Sequence, residues 1–276
     1  MKLKCVNLCA GYGEKSILRN VDFSVIPGDF VCLCGPNGSG KSTLLSVLAG
    51  LPENTLKITS GEVLLDEKPL SSFTARERAK KIAYMQQTEY SEWDFSVYDF
   101  VLQGRFAYSK NGWYSKEDEK KAENCLNELG LSDFVLRKIH SLSGGEFQKV
   151  RIARAMTQEP EFMLLDEPAA NLDFVYEPKL LEFLRNLAEK KHIGIILSIH
   201  DVNLAALYAK RIALLSPIHS TISPSSKAAA TSPETSFLIG DTENVFTREN
   251  LSQTFGTALQ TYVHQVYNKI QVTNEK

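Results

Sequence analysis

Apolar residues fall into two kinds of run along this chain. Short, nearly uninterrupted runs occur at Phe30 to Cys34, Phe162 to Leu165, Ile193 to Ile199 and Arg211 to Leu215. Their length and lack of alternation predict strands buried on both faces, as in a parallel sheet. The first three end in polar or glycine residues, Gly35, Asp166-Glu167 and His200-Asp201, which reach equivalent positions at the carboxyl edge, where open α/β sheets bind their ligands. Between these runs the period is helical, at Leu44 to Leu51, Val175 to Lys190 and Val202 to Ala209. A short basic helix, Ala75 to Lys81, precedes a strand, Ile82 to Met85, that leads into Gln86 and Gln87. At the start, strand-like Lys2 to Leu8 and Val21 to Ile26 flank a turn around Gly11 and Gly13, which predicts an antiparallel hairpin, with Gly61 to Leu65 as a further strand. Helical periodicity at Val97 to Arg105 and Lys116 to Leu129 predicts a helical insertion from about Thr88 to Pro160.

After Leu215 the pattern breaks. Pro217 to Ser236 is rich in Ser, Thr, Ala and Pro, with only Lys227 and Glu234 charged, and reads as a flexible loop. A helix from Arg248 to Phe255 and a closing strand pair within Leu259 to Val272 follow it, in an extension spanning about 240 to 276. The whole of 1–276 reads as a single α/β domain. A chain of 276 residues, 43% hydrophobic and 23% charged, can bury a sizeable core. The 31 basic and 33 acidic side chains leave a net charge of −2, so no nucleic-acid footprint is visible and no nucleic-acid partner is expected. Five cysteines form no C-x-x-C pairs, and Cys32 and Cys34 share one face of a buried strand, as small apolar side chains in a reducing compartment do. The N-terminus has no signal-type apolar core, and no run reaches the roughly 18 to 20 residues that span a bilayer, so any membrane association is expected through a partner.

The candidate chemistry centres on Gly35-Pro36-Asn37-Gly38-Ser39-Gly40-Lys41-Ser42-Thr43, between an apolar strand and a Leu-rich helix. This is the phosphate loop G-x-x-x-x-G-K-[ST], in which glycines let backbone N–H groups converge on a polyphosphate at a helix N-terminus. A nucleoside triphosphate is the expected ligand.

Leu142-Ser143-Gly144-Gly145-Glu146, followed by Gln148 and Arg151-Ile152-Ala153-Arg154-Ala155, resembles the signature motif of ATP-binding cassette (ABC) ATPases. With the phosphate loop, Gln87, Asp166-Glu167-Pro168, Asn171-Leu172-Asp173 and His200, the resemblance covers nearly all of Lys2 to Leu215 in order and spacing. It implies a P-loop NTPase core with an N-terminal antiparallel β subdomain and an inserted α-helical subdomain. It also implies ATP and Mg²⁺ as cofactors, with Lys41 at the β- and γ-phosphates, Thr43 at the α-phosphate, and Ser42, Asp166 and Gln87 around the metal. Glu167 would orient or deprotonate the attacking water, with His200 at the γ-phosphate and Gln87 at the ion or the water. Tyr12 is similar to the aromatic that stacks on adenine, or is simply a hairpin tyrosine. The Ser143-Gly144-Gly145 turn, with Glu146 and Asp173, would face the nucleotide of a second subunit, which implies an ATP-bridged homodimer.

Ser96 to Arg105, Asn124 to Leu131 and Asn250 to Gly256 resemble importer ATPases for iron chelates, haem and vitamin B12. Such a cassette sits peripherally at the cytoplasmic face of the membrane beneath a separate permease, with a substrate-binding protein as an indirect partner. Trp93, Phe95 and Tyr98 would line the permease groove or belong to the core. An exporter ATPase, or a non-transport cassette acting on ribosomes or DNA, is the alternative.

Overall fold

The computed structural model describes residues 1–51, 55–89, 91–170, 172–217 and 236–274. In chain order its strands and helices are β1 (Leu3–Tyr12), β2 (Lys15–Val25), β3 (Phe30–Cys34), α1 (Lys41–Leu48), β4 (Leu56–Leu65), β5 (Lys68–Pro69), α2 (Ala75–Ala79), β6 (Ile82–Met85), α3 (Val97–Leu102), α4 (Lys116–Glu128) and α5 (Gly144–Thr157). The second half continues with β7 (Phe162–Leu165), α6 (Tyr176–Lys191), β8 (Gly194–Ser198), α7 (Val202–Tyr208), β9 (Arg211–Leu215), β10 (Phe237–Asp241), α8 (Thr242–Val245), α9 (Arg248–Phe255), β11 (Leu259–Val263) and β12 (Ile270–Asn274).

The continuous apolar runs form the central sheet, in the order β10-β9-β3-β8-β7-β6, parallel throughout except for β10 at the edge. Alternation along these strands divides their side chains between two cores. Val31, Leu33, Leu164, Ile196 and Ala213 join α1 and the antiparallel sheet β2-β1-β4-β5, whereas Cys32, Cys34, Met163, Leu165, Ile195 and Leu197 face α5, α6, α7 and α9. Burial pushes the Cys34 thiol up to about 12 and that of Cys32 well above its ordinary value, as expected of packing cysteines.

The N-terminal hairpin is longer than alternation suggests. Gly11 lies within β1 rather than in the turn, and a side chain there would strike the Lys15 carbonyl, so the missing Cβ permits a close strand approach. Polar positions likewise hid the first half of β2 and the start of β4 at Leu56. The interrupted run after Leu215 hides a pairing, since β9 and β10 are antiparallel with Leu215 opposite Phe237. Ser216 N–H donates to the Ser236 carbonyl at 2.8 Å, so the two strands meet across the Ser/Pro-rich segment, of which 218–235 lies outside the described residues. The tail forms the β11–β12 hairpin.

Helices α3, α4 and α5 enclose a third core built from Val97, Phe100, Val101, Ala122, Leu126, Val150 and Ala153. Each begins at a serine: Ser96, Ser115 and Ser143 accept from the backbone N–H three residues on, and the latter two complete capping boxes with Asp118 and Glu146. Arg105, buried at their junction, donates to Asp118 (2.8 Å), the Thr157 carbonyl (3.0 Å) and Glu159 (3.1 Å). Burial alone would raise the Asp118 carboxyl, but hydrogen bonds from Ser115 and Arg105 outweigh it and hold the group at about 2. The stabilisation from ionised Asp118 is therefore complete above its ordinary value of 3.8 and is lost as pH falls through about 2. Arg105→Ala, which strands this carboxylate, is expected to destabilise the fold by about 3–5 kcal/mol in urea unfolding at neutral pH. A loss below about 1 kcal/mol would show that the pair does not hold the helices together.

Candidate functional site

The parallel register aligns the strand ends. Leu33 of β3 lies opposite Ser198 of β8, and Leu165 of β7 opposite Leu197, so the segments following β3, β7 and β8 emerge at one edge. After β3 the chain enters the phosphate loop. Gly35, Gly38 and Gly40 have φ of 155°, 75° and 103°, and a Cβ on Gly35 would meet the Leu215 carbonyl at 2.2 Å. Helix α1 starts at Gly40 with no side-chain cap and no acidic residue in its first turn, so its N-terminal N–H groups keep their capacity for an external anion. The buried Ser39 Oγ has no hydrogen-bond partner among the described residues. Lys41 Nζ donates to the Gly35 (2.8 Å) and Pro36 (3.0 Å) carbonyls, bonds that a polyphosphate can replace. Burial lowers the Lys41 pKa, against the pull of Glu167, Cys34 and Asp166. Asn37 and Gly38 form the exposed tip of the loop, Ser42 is exposed in the first turn of α1, and Thr43 is buried. Ile17 and Leu18 of β2 line Gly40, and Tyr12, at the end of β1, is half-buried against the same core.

Asp166 and Glu167 follow β7. Asp166 is 2% exposed, and its Oδ1 accepts from Ser198 Oγ at 2.6 Å, while the same hydroxyl accepts from the Glu167 N–H at 2.8 Å. Glu167 sits at φ 49°, in the left-handed region that L-residues enter at a cost, and this turn aims its carboxylate along the edge. There Gln87 Nε2 donates to Glu167 Oε2 at 2.7 Å, and His200 Nε2 lies 2.5 Å from Glu167 Oε1. Thus Gln87, the adjacent pair Asp166-Glu167, and His200, which come from three distant segments, converge on one cluster. Ser198, which joins the two carboxyl residues, was missed by sequence reasoning, although a lone hydroxyl in the apolar strand Gly194–Ser198 is a readable signal.

The Ser143-Gly144-Gly145-Glu146 turn is a separate feature. Ser143 N–H and Oγ both donate to Glu146 Oε2 at 2.7 Å, which holds the Glu146 carboxyl below its ordinary value, and Gly145 abuts Leu172. Among the described residues this turn makes no hydrogen bond or ion pair with the phosphate loop. Asp173 is exposed and opens the turn into α6, while Asn171 lies outside the described residues. Helix α5 is nevertheless tied to the edge that carries Gln87 and Glu167. Gln148 Nε2 donates to the Pro168 carbonyl at 2.6 Å, and Arg151 donates to the carbonyls of Gln86 and Gln87 and pairs with Glu89, which also pairs with Arg154.

Residues 18–170 match the ABC transporter family. This chain belongs to that family. It is similar to an uncharacterized ABC transporter ATP-binding protein of Haemophilus influenzae, 34% identical over 271 residues, covering 97% of this chain and 94% of the relative. It is also similar to the hemin import ATP-binding protein HmuV of Hahella chejuensis, 36% identical over 209 residues, covering 73% and 78%. Among solved structures it resembles a metal-chelate type ABC transporter in an inward-facing conformation (TM-score 0.79, 26% identity, 98% of this chain and 95% of that one). A dimeric structure of a bacterial ABC transporter cassette gives a TM-score of 0.66 at 32% identity, covering 76% of this chain and 92% of that one. The protein is accordingly an ATP-binding ABC ATPase, with a mixed α/β core, an antiparallel β sheet and an inserted helical subdomain.

Ser198→Ala removes one charge-assisted bond to Asp166 and the acceptor of the Glu167 N–H. Such a bond contributes about 1.5–3 kcal/mol, so ATP turnover should fall by roughly 10- to 150-fold while Ser198→Thr, which keeps the hydroxyl, largely retains it. Phosphate release at saturating ATP measures this, and wild-type turnover in Ser198→Ala would show that the hydroxyl positions nothing.

Proposed function

We propose that this ABC ATPase is the ATP-hydrolysing subunit of an importer for metal chelates of the iron-chelate, haem or vitamin B12 class. The observation that carries its catalytic part is Glu167, held between Gln87 and His200 beside a separately anchored Asp166. Lys41 and the phosphate-loop N–H groups bind the triphosphate, Thr43 supports its α-phosphate end, and Tyr12 lies under the adenine. Ser42, Asp166 and Gln87 offer a hydroxyl, a carboxylate and an amide, a set of oxygen donors that suits Mg²⁺ completed by phosphates and water. When bound, the ion neutralises charge on the β- and γ-phosphate oxygens. Glu167 accepts a proton from the attacking water, whose oxygen forms the new bond to the γ-phosphorus as the bond to the β–γ bridging oxygen breaks. His200 and Lys41 donate to the γ-phosphate oxygens as charge develops.

The exposed signature turn supports a homodimer in the ATP-bound state, in which Ser143, Gly144, Gly145, Glu146 and Asp173 complete the site of the facing subunit. A dimeric cassette among the similar structures agrees with this. Partnership with a membrane permease is supported by the names of the relatives and by a cleft of about 550 Å³ beside the Gln87 loop, lined by Tyr84, Gln103, Phe106 and Tyr114. Exposed Phe106 offers an apolar contact there; Trp93 is also exposed but does not line this cleft, and Phe95 and Tyr98 pack on the helical core. Among the described residues no helix is long and apolar enough to cross a membrane, so peripheral attachment at the cytoplasmic face through that permease follows from the same reading. A substrate-binding protein would act upstream of the permease.

Glu167→Gln keeps the volume and the phosphate contacts but removes the base. ATP binding should persist while turnover falls by about 10²- to 10⁴-fold, read by equilibrium nucleotide binding and phosphate release on the same preparation. Hydrolysis at the wild-type rate would remove Glu167 from the role of base.

A further inference from the structure

The exposed His200 ring must be held against Glu167 by its backbone, because its side chain is 51% exposed and has little packing around it. On the N-terminal side β8 supplies the anchor, and the Ile199 N–H donates to the Leu33 carbonyl at 3.1 Å. On the C-terminal side the loop runs into α7, a helix of seven residues that fully buries only the small side chains of Ala205 and Ala206, with Val202, Leu204 and Tyr208 half-buried against the same core. Asp201 caps it, with Oδ1 accepting from the N–H groups of Asn203 (2.8 Å) and Leu204 (3.1 Å). So short a helix needs an outside support, since few intrahelical bonds hold it.

That support comes from the far end of the chain. Val272 N–H donates to Asn203 Oδ1 at 2.6 Å, Asn203 Nδ2 donates to the Val272 carbonyl at 3.2 Å, and Gln271 Nε2 donates to the Asn203 carbonyl at 3.3 Å. The Asn203 amide thus pairs with both backbone groups of Val272 as a neighbouring strand would. Val272 is itself buried in the core that contains Ala205 and Ala206. The other end of the hairpin is set off from the α7–β9 corner by a cavity of about 600 Å³, lined by Lys210, Asp241, Val263 and Lys269. Its hydrogen bonds to α7 are therefore concentrated at Asn203.

We infer that Asn203 is a positioning residue through which the C-terminal hairpin β11–β12 holds the His200 loop in register with Glu167. The hairpin is then part of the catalytic edge, although it contributes no group to the nucleotide. Anything that shifts the hairpin also moves His200. The inference rests on the assignment of His200 to the γ-phosphate contact.

The test compares Asn203→Ala, Gln271→Ala and His200→Ala in the full chain, with Mg²⁺ and ATP. Asn203→Ala should lower kcat by about tenfold, short of the roughly 10²-fold that an ångström of misplacement can cost, while ATP affinity stays unchanged. Gln271→Ala, which removes one bond of three, should give a smaller loss in the same sense. In protein labelled with ¹⁵N-histidine, the His200 ring resonance, identified by its disappearance in His200→Ala, should shift in Asn203→Ala while those of His140 and His192 stay in place. A lower melting temperature with unchanged kcat and an unmoved His200 resonance would mean that Asn203 only stabilises the hairpin, and would overturn the inference. Full turnover in His200→Ala would instead refute the assignment of His200, a result distinct from failure of the Asn203 coupling.

Discussion

The organising constraint is electrostatic. In the proposed site a triphosphate must be brought to an edge that already carries Asp166 and Glu167, and the chain offers fixed dipoles and one buried ammonium against this repulsion. Uncapped N–H groups at the start of α1 and the Lys41 ammonium supply the attraction. The carboxylates are kept from rearranging toward that ammonium by dedicated partners, Ser198 on Asp166 and Gln87 with His200 on Glu167. The parallel register of β3, β8 and β7 makes this possible, because it delivers the lysine loop, the histidine and the Asp166-Glu167 pair to one edge from three distant segments of the chain.

The same edge is wired to the helical insertion. Arg151 and Arg154 on α5 converge on Glu89, and Arg151 and Gln148 also bond backbone carbonyls beside Gln87 and Glu167. These contacts are largely buried, so the charges interact strongly and their loss would leave unpaired groups. Displacement of the Gln87 segment therefore pulls on α5, whose first turn is the signature sequence.

Most of this was legible in the sequence because it is local. The phosphate loop announces itself through glycines that a left-handed backbone needs, the buried strands through unbroken apolar runs, and the helical insertion through its periodicity at Val97 to Arg105 and Lys116 to Leu129. What stayed hidden depends on distant partners. Ser198 reads as one polar residue in an apolar strand until β8 lies beside β7. Asn203 and Val272 are 69 residues apart, and nothing in either neighbourhood signals the other. The pairing of β9 with β10 is masked by the Ser/Pro-rich segment between them, and Gly11 reads as a turn because its role is a close approach of backbones. Local chemistry thus pointed to the candidate nucleotide site, while the groups that hold its residues in register emerged only from the fold.

The most direct test of this account is whether nucleotide completes a site shared by two chains. Light scattering coupled to size exclusion, on Glu167→Gln protein with and without saturating ATP and Mg²⁺, should give a monomer without nucleotide and a dimer with it. Introducing Ser143→Arg, which places a bulky cation in the signature turn, should return the ATP-bound protein to a monomer. A protein that remains monomeric in ATP at high concentration, or a dimer indifferent to Ser143→Arg, would contradict the shared-site account.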